Sequence, residues 1–116
     1  MENKAALKLI DKILDDLDKT GINTDTLIDD IKKLRTYALE MQVPLVVKVL
    51  RLTYEHIEAN ETFLIPMLVD EDAEEEVIVE NEPVESLKYL IALTRNLNNK
   101  INIADLKEYR DLLNAY

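Results

Sequence analysis

At 116 residues the chain has the length of one domain, and it carries no Cys, one Gly and three Pro. Those counts exclude a disulfide framework, a thiolate metal site, a Gly-rich phosphate loop and a turn-rich β-sandwich or barrel. The net charge is −10, but of the 24 acids eight fall between Asp70 and Glu82 with no base among them, and the other 16 face 14 bases. A nearly neutral body with one acidic segment is a poor match for a phosphate backbone.

Residues Met1–Leu7 lack the basic-then-apolar pattern of a signal peptide. The longest apolar run, Phe63–Val69, has seven residues and contains Pro66, too short to span a bilayer. With no Cys, the expected compartment is a reducing cytoplasm.

The first predicted helix covers about Asn3 to Lys19. Ala6, Leu7, Ile10, Ile13, Leu14 and Leu17 recur at spacings of three and four, which gathers them on one face. Gly21 stands where a left-handed residue would end it. The second helix starts at Asn23, a favoured cap because its side-chain oxygen can accept first-turn N–H groups. Ile22 and Leu27 flank that cap as a hydrophobic staple, and Leu27, Ile31, Leu34, Ala38 and Met41 form the stripe.

Val43-Pro44 interrupts this pattern, since the residue before Pro resists helical geometry while Pro suits a first helical position. The third helix is expected from Pro44 to Ala59. It is apolar around most of its circumference, with one polar stripe at Lys48, Arg51, Glu55 and Glu58, the pattern of a helix at the centre of a bundle. A strand over Val43–Leu50 is the rival, given its β-branched residues. The helix is preferred because the polar stripe continues past Leu50 at helical spacing. Phe63–Val69 and Val77–Val79 flank the acidic stretch, as an extended pair or as an apolar lid anchoring a loop; Pro66 argues against a central strand. The fourth helix begins near Pro83, with Val84, Leu87, Leu90, Ile91, Leu93, Thr94 and Leu97 inward. The fifth begins at an Asn102 cap, with Ile101 and Leu106 as a second staple.

Two stretches about 80 residues apart are alike. Leu7, Lys8 and Leu17 match Leu87, Lys88 and Leu97; beyond Gly21 the frame shifts by one, and Ile22, Asn23, Leu27, Asp29 and Leu34 align with Ile101, Asn102, Leu106, Glu108 and Leu113. Internal duplication explains this, and so does shared capping grammar. Either way the expected fold is all-α, a compact bundle of about five helices in a single domain over 1–116. Two helical hairpins stand around the central apolar helix, with an acidic loop at 63–82.

His56 is the single histidine, so no multi-histidine metal site can form. Arg51 and His56, with four residues between them, resemble the Arg-x4–6-His spacing of HEPN ribonucleases, which are also small all-α domains. The resemblance covers two residues. It departs from the family where Leu52 follows the Arg in place of a common polar residue. It implies Arg51 as a stabiliser of phosphate charge and His56 as acid or base. The structural alternative pairs Arg51 with Glu55 and leaves His56 half-exposed near a helix end.

The run Asp70-Glu71-Asp72-Ala73-Glu74-Glu75 invites a calcium loop, but Glu75 stands where an EF-hand needs Gly and Asn81 where it needs a bidentate Glu. Carboxylates so clustered are either a solvated segment or a decoy that imitates phosphates in a basic groove. Asp11/Asp15 and Asp25/Asp29 interleave with lysines, as solvated acids do. Tyr54, Tyr89 and Tyr109 fall on apolar stripes and are expected in the core with a polar tip.

No metal or cofactor is expected, and no residue set amounts to a catalytic constellation. The leading expectation is a small non-enzymatic interaction module of the inhibitor, immunity or adaptor kind. Asp70, Glu71, Asp72, Glu74, Glu75, Glu76, Glu80 and Glu82 would engage a partner protein with a basic surface. The alternatives are a helical ribonuclease or nucleotide-handling domain built on Arg51 and His56, and a self-associating protein such as a homodimer.

Overall fold

A computed structural model of the chain describes residues 1–68 and 82–116. They form five helices: α1 (Lys4–Thr20), α2 (Thr24–Glu40), α3 (Pro44–Asn60), α4 (Glu82–Leu93) and α5 (Lys100–Ala115). The fold is an all-α bundle, with no strand among the described residues.

The first hairpin follows its local chemistry. Asn3 Oδ1 accepts from the N–H groups of Ala5 and Ala6 at 2.8 and 3.2 Å and starts α1; Asn23 Oδ1 accepts from Asp25 N–H at 3.0 Å and starts α2. Ile22 and Leu27 both pack on the core, as a staple requires. Gly21 ends α1 at φ 68°, ψ −152°. Its φ is positive as expected, but its ψ lies outside the left-handed helical well, in a region essentially reserved for glycine. A Cβ there would meet only Val84 Cγ2, at 3.7 Å, so the backbone and not crowding demands Gly.

The turn into α3 uses no glycine. Gln42 sits at φ 57°; its N–H donates to Leu39 O at 3.2 Å, and Val43 N–H donates to Ala38 O at 3.1 Å. This is a Schellman ending with Gln in the place glycine usually takes. Pro44 then opens α3. Val46, Val49, Leu50, Thr53, His56 and Ile57 are buried, while Lys48, Arg51, Glu55 and Glu58 are exposed. The helical alternative therefore holds over the strand. Beyond α3, Phe63 and Ile65 are buried and Leu64 and Pro66 exposed, which anchors the chain against the core without a strand. The other half of the expected extended pair, Val77–Val79, lies outside the described residues.

The second hairpin departs from expectation in two places. Helix α4 stops at Leu93, where Thr94 Oγ1 donates to Ile91 O at 2.6 Å, so Leu97 lies in the following loop and not on the helix. The amino group of Met1 donates to Thr94 O and Arg95 O at 2.6 and 2.9 Å, placing a cation at the carbonyl end of α4. Helix α5 is capped by Asn99, whose Oδ1 accepts from Ile101 and Asn102 N–H at 2.8 and 3.4 Å. Asn102 lies inside the helix and its side chain donates to Asn96 O at 2.9 Å; Ile101 is 69% exposed and staples nothing. The matching letters Ile22-Asn23 and Ile101-Asn102 thus serve different structural roles.

The helices close a ring of neighbours: α1 packs on α2, α2 on α3, α3 on α5, α5 on α4, and α4 back on α1. Helix α3 stands between the hairpins, touching α2 of the first and α5 of the second. Residues from all five helices share one apolar cluster.

Candidate functional site: a cation-lined groove and a buried histidine

His56 faces inward from the penultimate turn of α3 and is 7% exposed, not half-exposed. Its Nε2 accepts the N–H of Leu64 at 3.0 Å, which places the lone pair on Nε2 and the ring proton on Nδ1. The ring meets Phe63 and Tyr116 edge-on, with centroids 5.5 and 4.7 Å away. Burial holds its pKa below the ordinary 6.5. This geometry pins the strand of chain leaving α3 to the helix that it leaves.

Arg51 points elsewhere. It stands five positions before His56, about 140° around a helix, and it is exposed on the polar stripe. No ion pair joins it to Glu55 among the described residues, which corrects the expected surface pair. Instead it lines a cavity of about 370 Å³ on the outer face of the α2–α3 hairpin, together with Arg35 of α2 and Lys48 of α3. His56 is not part of this cavity. Leu39, Val43, Pro44 and Val47 supply its apolar surface, and Gln42 completes it. No acid lines it.

Of the eleven other cations six are ion-paired, Arg110 with its neighbour Asp111, and Lys4, Lys8, Lys33, Lys100 and Lys107 are in no ion pair among the described residues. Lys12 bridges to Asp16 and Asp30, Lys19 to Asp15 and Lys32 to Glu58; Lys88 pairs with Asp18 and Arg95 with Asp11. Arg35, Lys48 and Arg51 join no ion pair among the described residues, and Arg35 Nε is buried without a hydrogen-bond partner there. A guanidinium so placed retains its capacity for a carboxylate or phosphate.

The sequence carries a signal for this groove only once the α2–α3 hairpin is in place. A hairpin that turns at Val43 lays Arg35 beside Lys48 and Arg51.

Of the acidic candidates, Asp70, Glu71, Asp72, Glu74, Glu75, Glu76 and Glu80 lie outside the described residues. Glu82 is exposed at the first position of α4. No group of three or more potential metal ligands occurs among the described residues, and Asp11, Asp15, Asp25 and Asp29 are exposed. No described helix is long and apolar enough to cross a membrane.

Tyr54, Tyr89 and Tyr109 pack on the core and keep polar tips. Tyr109 is fully buried; its hydroxyl lies 3.1 Å from Ser86 Oγ and donates to Ser86 O at 3.2 Å. Tyr89 donates to the Asp105 carboxylate, and that bond pushes the phenol pKa up to about 12. Tyr54 is half-buried with the Lys32 ammonium 5.2 Å from its ring centroid.

Comparison with protein-family models, with curated proteins and with solved structures finds no match to this chain.

Proposed function

We propose that this chain is a small non-enzymatic protein-interaction module, of the inhibitor, immunity or adaptor kind, acting in the cytoplasm. Its acidic stretch Asp70–Glu82 engages a partner with a basic surface. The observation that carries this is the segregation of charge: eight carboxylates without a base occupy thirteen consecutive positions, while the remainder of the chain is close to neutral. Such a field accelerates encounter with an oppositely charged patch and selects against acidic partners. Glu82 supports the reading from the described side, because the stretch joins the body at an exposed helix start. Arg51 and His56 give no comparable support to ribonuclease chemistry within one copy, since they face different surroundings.

The test is affinity capture from a native extract, with the wild-type chain and with a variant whose eight acids are converted to their amides. The expected outcome is a basic partner retained by the wild type at low salt, released as salt rises and absent with the amide variant. Recovery of the same proteins by both chains removes the acidic stretch from the function.

A further inference from the structure

The outer face of the α2–α3 hairpin combines a concave shape, an apolar surface and three cations that engage no acid among the described residues. The cavity is of the size that ligand sites have. Leu39 and Val43 flank the turn, Val47 and Lys48 stand side by side about one helical turn into α3, and Arg35 and Arg51 lie further along the two helices. Arg35 rises from one wall and Lys48 and Arg51 from the other.

We propose that this groove binds an acidic amphipathic helix of a partner protein, with an aliphatic stripe against Leu39, Val43 and Val47 and carboxylates on both flanks meeting the cations. The groove lies between two adjacent helices and opens outward, the surface on which a third helix packs. Charge complementarity selects the occupant, since Arg and Lys favour carboxylates and no acid among the described residues lines the groove. The absence of an aromatic among the lining residues removes the usual platform for a nucleotide base. Leu39 is 50% exposed, apolar surface that such a helix would cover. Its lining residues are distinct in sequence from the acidic stretch and opposite to it in charge, so the chain would hold two partners of opposite kind.

The probe is a fluorescein-labelled peptide of about four helical turns, with Leu at helical spacing and Glu on both flanks, titrated by anisotropy against the full chain. The expected result is saturable binding that weakens about tenfold or more in K48E/R51E, and likewise in Leu39→Ser. Lys33→Glu, an exposed change on another face of α2, leaves the affinity unchanged. The variant with its eight acids amidated binds at least as tightly as wild type, which separates this site from the proposed function. Amide chemical-shift mapping on the wild-type chain reads the site without any substitution, and the perturbed residues should centre on Arg35, Leu39, Val47 and Arg51. No binding, equal binding by K48E/R51E, shifts centred elsewhere, or equal affinity for an all-Glu peptide of the same charge would each overturn the proposal. So would tighter binding of dodecanoate than of the peptide, which would make the groove a fatty-acid site.

Discussion

His56 and Arg51 show how five positions of sequence become two unrelated environments. Helical spacing alone turned His56 inward, since it follows Val49 by seven residues and Thr53 by three, both buried. Its polarity and its place near a helix end suggested a half-exposed ring instead. What burial requires is a hydrogen-bond partner, and that partner is a backbone N–H eight residues onward, invisible to local pattern. The pH dependence follows. The neutral ring accepts from Leu64, and burial depresses its pKa below 6.5. Above that value neither folded nor unfolded chain is protonated here, and the contribution is complete. As pH falls through 6.5 the unfolded chain takes up the proton first, and stability is lost until the pH has passed the folded value. Urea unfolding at about pH 7.5 and about pH 5.5 should therefore show a larger loss for wild type than for His56→Asn. Equal losses would mean that the ring titrates alike in both states.

Helix starts were legible where a cap stood alone or a staple marked it, and illegible where neither held. Asn3 precedes its apolar stripe without a rival close by, and the Ile22–Leu27 staple marks Asn23 among Thr24, Asp25 and Thr26. Before α5, Asn96, Asn98, Asn99 and Asn102 all offer the same chemistry, and the cap at Asn99 adds a turn of helix that Asn102 would forgo. Asn99→Ala should cost about 1 kcal/mol through the loss of its cap. Asn102→Ala should cost less, because it removes one exposed bond to Asn96. Chemical denaturation of both variants checks the order, and the reverse order would move the start of α5 to Asn102. The left-handed backbone at the endings of α2 and α3 was hidden for a related reason. Gln42 and Glu61 adopt φ 57° and 59°, where sequence reasoning looks for Gly or Asn, so nothing in their side chains announces the turn.

The ring of five helices is held by its core, with a side-chain link at each seam. Lys12–Asp30 joins α1 to α2, Lys32–Glu58 joins α2 to α3, and Lys88–Asp18 joins α4 to α1. Tyr109 meets Ser86 between α5 and α4, and His56 of α3 meets Tyr116 beyond α5. Exposed ion pairs of this kind contribute little each, whereas Ile10 in α1 and Leu50 in α3 are wholly buried. Ile10→Ala and Leu50→Ala should each cost about 2–5 kcal/mol. Because the ring is closed, far-UV circular dichroism and tyrosine fluorescence should still report one coincident transition for both. Separate transitions would mean that the hairpins stand independently.

By itself the sequence determined the helical class, the inward stripes, the starts of the first three helices and the Pro44–Asn60 helix to within a residue. All of these depend on spacings of three and four and on caps, which act within a turn or two of chain. Only the tertiary structure decided the order of the helices around the ring, the early end of α4, the burial of His56 and the meeting of Arg35 with Lys48 and Arg51. Each depends on surfaces distant in the chain, where several local choices are nearly equal in energy and packing selects among them.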